Sequence, residues 1–420
     1  MTAPVAPSNL PVVAYLTDVE GLWPKLESFV QGNPWVSLDH EGRLRVAPGA
    51  FFVFGGDAID RGAHGRRIVA ALLDVKLRQP DQVILLAGNR DINKLRLLRE
   101  LSGFPPQRTP DEIRRAPRPE LLRWILSNTM GAALAFEGRQ RELVDGGGDG
   151  DGEAVVESFL ADLTPQGDLT RYLACCQLAF RCGLNLFVHG SVTPENLGRV
   201  PGLPSPVDGV DAWVDALNRW YHQQIDAYLD PPASLQGDPP WSPLVAYQAP
   251  LPGTKLNQTS VVYARPTDDA GNPALPPRAV VEDLRRDGIH RVIVGHSPVG
   301  DCPALLRTED FEFLLADNSY SPVESGSRVL IRGEQVESEG PSRVGGGERV
   351  RIDLRLGESS PVGLRLVEGG HLVKGQLSSG DFLLHRSLPG FRVEHRILPA
   401  YELRRLALQE PWGDASGSPP

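Results

Sequence analysis

The sequence predicts an α/β fold. Through the first two thirds of the chain, short runs of apolar residues alternate with segments of helical periodicity, a pattern typical of strands joined by helices. Several of these runs are followed directly by a short polar cluster that contains glycine. After residue 321 the helical periodicity gives way to alternating and clustered apolar residues between glycine-rich turns, which predicts a β-rich segment.

The predicted strands of the first part are short and apolar on both faces, as buried strands are. They cover residues 12–16, 51–54, 83–86, 184–188, 261–264, 291–294 and 311–315. Helical periodicity is clearest over residues 66–77, 92–101, 120–126 and 210–229. In the last part, strands are predicted over residues 328–331, 349–356, 363–367, 381–385 and 391–398.

Three stretches interrupt this pattern. Residues 145–152 (DGGGDGDG) predict a flexible tip, with a calcium loop as the alternative, although the terminal Glu of an EF-hand loop is missing. Residues 231–252 and 268–277 are proline-rich loops. The expected organisation is a main domain over residues 1–325 with a helical insertion at about 92–182, a β-rich segment over 326–410, and a disordered tail over 411–420.

Composition excludes several classes of protein. The 420 residues carry a formal net charge of −10, which argues against a dedicated binder of nucleic acid or of anionic membranes. We find neither an apolar run that could span a membrane nor a signal peptide, and we expect a soluble, cytoplasmic protein. The four cysteines (Cys175, Cys176, Cys182, Cys302) are too few for a disulfide scaffold and form no CxxC pair.

Five polar clusters follow predicted strands. Ligands of open α/β sheets bind at the carboxyl ends of the strands, where the loops converge, and glycine lets the backbone approach a ligand closely. The clusters are 17–21 (TDVEG), 56–62 (GDAIDRG), 88–91 (GNRD), 189–190 (HG) and 295–298 (GHSP).

These clusters contain carboxylates, one amide oxygen and two imidazoles. The six candidate metal ligands are Asp18, Glu20, Asp57, Asn89, His189 and His296. Mixed oxygen and nitrogen ligation suits manganese, iron or zinc. A carboxylate can bridge two cations, and two neighbouring cations can hold a hydroxide at neutral pH while they clamp the attacking and leaving oxygens.

The order GDxxDRG, GNxD, VHG and GHSP resembles the calcineurin-like metallophosphoesterases. Residues 187–195 (FVHGSVTPE) are similar to the corresponding segment of the serine/threonine phosphoprotein phosphatases and of their dinucleoside-polyphosphate hydrolase relatives. The resemblance spans residues 12–318. It implies a β-sandwich flanked by helices and a metal-dependent hydrolase of phosphoesters that uses a metal-bridging hydroxide as its nucleophile.

The resemblance also implies roles for single residues. One metal would be held by Asp18, Glu20 and Asp57, and the second by Asp57, Asn89, His189 and His296, with Asp57 as the bridge. Arg61 would face the substrate oxyanion, because a guanidinium makes two parallel hydrogen bonds to such a group. Asp60 would orient a neighbouring side chain.

Two positions depart from the family pattern. Glu20 stands where the family has histidine, and this more anionic first site favours manganese or magnesium over zinc. Arg90 stands where the family has the histidine that protonates the leaving oxygen, and arginine cannot give up a proton near neutral pH. Arg90 is therefore expected to bind a phosphate or to pair with Asp60 or Asp91.

Three functions remain open at this point. The leading one is hydrolysis of a phosphate ester or anhydride with two divalent ions, manganese being favoured and iron, magnesium and zinc being alternatives. The substrate would be a small molecule, a peptide or a phosphoprotein. The second is attack of the same metal site on the guanidinium of peptidyl arginine with release of urea, and the third is a degenerate protein that only binds. The sequence does not indicate the oligomeric state.

Overall fold

The computed structural model describes residues 11–268, 270–321, 326–344, 346–390 and 392–412. The strands, in chain order, are β1 (Val12–Leu16), β2 (Val36–Leu38), β3 (Leu44–Val46), β4 (Ala50–Phe54), β5 (Val83–Leu86), β6 (Cys176–Gln177), β7 (Ala179–Cys182), β8 (Asn185–Val188), β9 (Arg291–Val294), β10 (Ala304–Arg307), β11 (Glu312–Leu315), β12 (Arg328–Arg332), β13 (Gln335–Pro341), β14 (Arg349–Arg355), β15 (Arg365–Leu366), β16 (Leu372–Leu377), β17 (Phe382–Leu388), β18 (Arg392–Leu398) and β19 (Leu408–Gln409). The helices are α1 (Trp23–Val30), α2 (Gly65–Arg78), α3 (Asn89–Asn93), α4 (Arg96–Glu100), α5 (Asp111–Arg114), α6 (Arg118–Thr129), α7 (Ala135–Asp145), α8 (Gly152–Asp162), α9 (Asp168–Ala174), α10 (Val210–Leu229), α11 (Ser242–Tyr247), α12 (Arg278–Arg286) and α13 (Ala400–Leu403).

Two sheets carry the fold. The first sheet has the strand order β18-β17-β16-β14-β13-β12-β1-β4-β5-β6, with β15 and β19 paired at its side. The second sheet has the order β10-β11-β9-β8-β7. In the centre of the first sheet β1, β4 and β5 run parallel, and in the second sheet β8 and β9 do so. The carboxyl ends of these five strands are therefore free to carry loops that meet.

The two sheets pack face to face as a β-sandwich. Along β1, Val13 and Tyr15 belong to the apolar cluster between the sheets, whereas the alternate residues belong to the larger core under the helices. Tyr15 meets Phe187 of β8 with ring centroids 5.7 Å apart. Because successive side chains of a strand point to opposite faces, each central strand is apolar on both sides. The predicted fold, a sandwich flanked by helices, is confirmed.

The helical insertion is confirmed as a feature of the fold. Helices α4 to α9 lie between residues 96 and 174 and pack through Leu122, Ile125, Phe136 and Phe159 into the larger core. The predicted insertion, about residues 92–182, ends in β6 and β7. Both strands are too short to show the alternation of apolar and polar residues that marks a strand in a sequence. The predicted helix over 92–101 is two short helices, α3 and α4.

One predicted strand is wrong. Residues 261–264 form a turn, in which Val261 O accepts a hydrogen bond of 2.7 Å from Gly190 N. The run is apolar because it is buried against Gly190, where a Cβ atom would lie 2.8 Å from Ala264 O. The run has the length and the burial of a strand but pairs with no neighbouring strand, so its apolar pattern alone predicts a strand wrongly.

The described strands of the β-rich segment after residue 326 all continue the first sheet. Val13 of β1 is the register partner of Ile331 of β12, and the later strands add outward from there. Part of the predicted disordered tail is ordered, since Pro411 O accepts a 2.9 Å hydrogen bond from Leu275 N and Trp412 packs against the core. Residues 413–420 lie outside the described residues.

The longest helix is α10, and its surface is mixed polar and apolar. Among the described helices, none combines the length and the hydropathy that a membrane crossing requires.

Candidate metal centre

All five polar clusters predicted from the sequence lie at the carboxyl ends of β1, β4, β5, β8 and β9. Their loops are tied together by backbone hydrogen bonds: Asp18 N donates to Gly56 O at 3.0 Å, and Glu20 N donates to Asp57 O at 3.0 Å. The second sheet is joined to the first by His296 N, which lies 3.2 Å from both carboxylate oxygens of Asp18. The clusters therefore form one site.

The backbone is unusual at this site. Among the described residues, the non-glycine residues with positive φ are Asp18 (51°), Glu20 (45°), Asp57 (56°), Asp60 (114°) and His296 (57°). Such conformations cost about 1–3 kcal/mol each and persist where the surroundings over-determine them, which happens most often at functional sites. All five lie in the predicted clusters.

Two glycines are required by close approach. A Cβ atom on Gly88 would lie 2.1 Å from both N and Oδ1 of Asp57. A Cβ atom on Gly295 would lie 2.2 Å from Oδ2 of Asp18. The glycines thus let the loops press against the carboxylates, as the sequence analysis anticipated.

The side chains fall into two groups that share one residue. Asp18, Glu20 and Asp57 can each offer one ligand atom within 4.8 Å of the others, and so can Asp57, His189 and His296. We call these the acidic group and the imidazole group. Both are buried, and Asp57 belongs to both. Asp57 is thus the one residue common to two possible ligand sets among the described residues.

Acceptor atoms converge in the imidazole group. His189 Nδ1 lies 2.7 Å from Gly55 O and must donate to it, because a carbonyl only accepts. Nε2 of the neutral ring is then an acceptor, yet it lies 3.2 Å from Asn89 Oδ1 and 3.4 Å from Asp57 Oδ1. Three acceptors that face one another need a cation or a proton between them. Asn89 Oδ1 thus lies among the acceptor atoms of this group.

A proton can meet that need when no metal is bound. Burial lowers the pKa of His189, but the Asp57 carboxylate outweighs it and raises the pKa to about 10. His296 completes the group, with Nδ1 2.8 Å from Asn89 Oδ1. Its Nε2 is buried and has no hydrogen-bond partner in the described part of the chain. An orphaned imidazole nitrogen beside converging oxygens fits a divalent metal ion.

Burial and mutual repulsion strain the acidic group. Burial, followed by the charge of Asp317, raises the pKa of Asp18 well above its usual value. Burial also raises the pKa of Glu20, and the Arg90 guanidinium opposes this shift. A divalent cation would remove the cost of ionising these carboxylates, because it binds the ionised form. The three carboxylates of this group form an all-oxygen donor set.

Arg90 lies inside the site and is 8% exposed. Its Nε is 2.7 Å from Glu20 Oε1 and 3.5 Å from Asp57 Oδ2. The expected ion pair with Asp60 is present but longer, with Arg90 Nη1 3.7 Å from Asp60 Oδ2. In place of the expected pair with Asp91, Arg90 pairs with Glu20. The two residues that depart from the family pattern thus form an ion pair with each other.

Arg61 and Asp60 occupy the edge of the site. The Arg61 side chain is 28% exposed, lies 3.3 Å from Glu20 Oε2 and stacks on the Tyr320 ring at 4.4 Å. Asp60 accepts a 2.7 Å hydrogen bond from the fully buried Lys94.

Sequence reasoning missed the role of Asp91. The Asp91 carboxylate accepts hydrogen bonds from the backbone N–H groups of Asp57 (3.0 Å), Ala58 (2.9 Å) and Gly88 (3.2 Å). It holds the two loops that carry Asp57 and Asn89 in register. The signal was present, since Asp91 is the last letter of GNRD.

Two further side chains complete the surroundings. Asp317, two residues after β11, is buried, and its charge raises the pKa of Asp18 and of Glu20. Tyr320, which the sequence did not mark, places its hydroxyl 3.4 Å from Arg90 Nη2. Beside the loop that carries His189 there is a cavity of about 390 Å³, lined in part by Ser191, Arg265 and Trp412.

The alternative calcium loop receives no support. Residues 145–152 join α7 to α8, and Asp151 caps α8 by accepting a 2.7 Å hydrogen bond from Ala154 N. Within the described residues, the sets of three or more acidic, histidine or cysteine side chains that could hold a metal are the acidic group and the imidazole group.

Comparison with known proteins gives remote likenesses only. No family model matches the chain, and no curated protein matches it. Among solved structures, a cold-active protein-tyrosine phosphatase from a psychrophilic Shewanella species is 16% identical with a TM-score of 0.47, over 82% of this chain and 81% of that one. A protein serine/threonine phosphatase from Saccharomyces cerevisiae is 12% identical with a TM-score of 0.38, over 78% and 74%.

A metallophosphoesterase from Sphaerobacter thermophilus is 10% identical with a TM-score of 0.31, over 77% of this chain and 83% of that one. Because these identities and TM-scores are low, the assignment of the site rests on the side chains of this chain and on none of these neighbours.

Proposed function

We propose that this chain is a divalent-metal-dependent hydrolase of phosphoesters, with a dinuclear centre bridged by Asp57. The observation that carries the proposal is the pair of buried ligand groups that share Asp57 at the carboxyl ends of five strands. Asp18, Glu20 and Asp57 would hold one ion. Asp57, Asn89, His189 and His296 would hold the other. Bound divalent ions would supply charge neutralisation and an ionised water as nucleophile.

The charges around the site favour an anionic substrate. Two guanidinium groups, those of Arg61 and Arg90, lie beside the acidic group. Their planar donors match phosphoryl oxygens. A substrate guanidinium would instead meet two like charges, and for this reason we prefer a phosphoester to peptidyl arginine.

The positions of the protein groups suggest how they would act. Arg61 is part exposed and can reach a phosphoryl oxygen from the open side while its ring partner Tyr320 limits its movement. Arg90 cannot serve as an acid. Leaving groups that need no protonation are therefore favoured, since general-acid help is worth about 10²- to 10⁴-fold in rate.

The proposal is tested with p-nitrophenyl phosphate and bis-p-nitrophenyl phosphate in the presence of Mn²⁺. We expect turnover of at least one of them by the wild-type protein and its loss on chelation. Asp57→Asn should lower kcat by about 10²-fold or more, because the bridging charge is lost. Asp149→Asn, an exposed carboxylate of the α7–α8 loop, is the matched control and should leave kcat unchanged.

Urea release from arginine-containing peptides is measured in parallel. Release of urea without phosphate would support the second function left open by the sequence. Binding of Mn²⁺ without hydrolysis of any phosphoester, natural nucleotides and phosphopeptides included, would contradict the proposal.

A further inference from the structure

The two ligand groups differ in what faces them. Both carboxylate oxygens of Glu20 face guanidinium nitrogens, Oε1 that of Arg90 at 2.7 Å and Oε2 that of Arg61 at 3.3 Å. The acidic group therefore already holds a positive charge from the protein itself. At the imidazole group, by contrast, His189 Nε2 faces Asn89 Oδ1 at 3.2 Å, and the proton that can sit between them is one that a metal ion displaces.

Asp57 stands between the two groups. Its Oδ2 lies 3.5 Å from Arg90 Nε, whereas its Oδ1 lies 3.4 Å from His189 Nε2 and accepts a 2.9 Å hydrogen bond from the Arg90 backbone N–H. One oxygen thus points to the guanidinium and the other to the imidazole group. An ion at the imidazole group can use Asp57 while Arg90 stays where it is.

The guanidinium is held from both sides. Nη1 donates to Gly131 O at 3.3 Å and Nη2 donates to the Tyr320 hydroxyl at 3.4 Å. The side chain enters from the first turn of α3, the helix that also begins with Asn89. Arg90 cannot lose its charge by deprotonation, so an ion in the acidic group must either displace the guanidinium or bind beside it.

We propose that Arg90 makes the two ion sites unequal: the imidazole group binds one divalent cation tightly, and the guanidinium supplies the positive charge at Glu20 in place of a second tightly bound ion. The proposal rests on the assignment of the cluster as a metal centre. Two cations a few ångströms apart repel, and Glu20 would have to give up its ion pair with Arg90 to bind a metal ion. The second ion should therefore bind about tenfold or more weakly than the first.

The test is a Mn²⁺ titration of the metal-stripped, full-length protein by calorimetry, followed by electron paramagnetic resonance of the same samples. For the wild-type protein we expect one tight equivalent with the spectrum of an isolated Mn²⁺ ion, and a spin-coupled pair only at higher concentrations of Mn²⁺. In Arg90→Gln the second equivalent should bind about tenfold tighter and the coupled spectrum should appear earlier.

Four further variants, one of them a control, sharpen the result. Arg90→Lys keeps the charge and should keep the sites unequal. Glu20→Gln should retain the tight ion, whereas His189→Ala should lose it. Arg118→Gln removes an exposed arginine of α6 that pairs with Glu153 and Glu157 of α8, and should leave the titration unchanged.

Two equivalents of equal affinity in the wild-type protein, with a coupled spectrum from the first additions, would overturn the proposal. Loss of the tight ion in a Glu20→Gln variant whose circular dichroism shows that it is folded would overturn it as well. The wild-type titration decides even if Arg90→Gln does not fold. One tight ion without any phosphoester hydrolysis would refute the proposed function and leave this inference standing. Two ions that bind with equal affinity, together with phosphoester hydrolysis, would refute this inference and support the proposed function.

Discussion

Single carboxylates at the centre have different tasks because their oxygens face different partners. Asp57 turns one oxygen to an imidazole and the other to a guanidinium, and it can take part in metal binding on both sides. Asp91, one residue beyond Arg90, turns its oxygens to backbone N–H groups. It is a positioning residue, and its removal should act on the site through Asp57.

Asp91→Ala should lower the free energy of unfolding by about 3 kcal/mol or more, since three buried donors lose their acceptor and each costs about 1–3 kcal/mol. It should also weaken Mn²⁺ binding. Urea denaturation and calorimetric titration measure both effects. Asp39→Ala, which removes an acceptor of two backbone N–H groups in an exposed turn, should cost about 1 kcal/mol and leave Mn²⁺ affinity intact. Equal losses of stability in the two variants would contradict this role of Asp91.

At the scale of elements, the pairing of β17 with β18 brings two histidines together. His385 is the register partner of His395, and His385 Nδ1 lies 3.2 Å from His395 Nε2. Burial, followed by the charge of Lys374, lowers the pKa of His395 to about 3, while Asp301 opposes the shift and Arg343 adds to it. Both rings are thus neutral in the folded protein near pH 7, as packing residues.

The free energy of unfolding should fall as the pH falls below about 6.5, the usual pKa of histidine in an unfolded chain. Between pH 6.5 and pH 3 the unfolded state binds a proton at His395 that the folded state does not, so the unfolded state gains stability there. Between pH 7 and pH 5.5, the wild-type protein should lose about 1 kcal/mol more than His395→Gln in urea denaturation. His40→Gln, at an exposed site, should follow the wild-type curve. Parallel curves for wild type and His395→Gln would contradict the expectation.

At the scale of the whole molecule, the first sheet runs without a break from the helical half of the chain into the β-rich segment. β12 pairs with β1, the strand whose end carries Asp18. The buried Lys374 of β16 donates to Val299 O, three residues after His296, and Val299 N donates to Asp317 O at 3.0 Å. The β-rich segment therefore supports both ends of the metal centre.

A chain that ends at residue 325 should fail to fold, because it exposes the edge of β1 and lacks Val329, Ile331 and Val336 of the sandwich core. Soluble yield and circular dichroism measure this. A chain that ends at residue 412 keeps every described contact and should behave as the full-length protein. A soluble, folded 1–325 fragment that binds Mn²⁺ with wild-type affinity would show that the predicted domain boundary is a true one.

The parts of the fold that follow from local patterns were predictable. Buried strands such as β1 and β9 show as apolar runs, and their polar ends identified the six candidate ligands before any coordinates. Contacts between distant residues were not predictable in detail. The ion pair of Arg90 with Glu20 depends on how two loops pack, and the turn at residues 261–264 depends on burial against Gly190. β6 and β7 are too short for any periodicity to appear.

The buried pairing of Glu20 with Arg90 constrains how this sequence can change. Replacing either residue alone leaves its partner as a buried charge with fewer opposite charges around it, and breaking such a pair on one side costs about 3–5 kcal/mol. A lineage that exchanges this acid and base for two neutral side chains must therefore alter both within a short interval, or pass through a poorly folded intermediate. The two positions should evolve as a unit, inherited together or lost together.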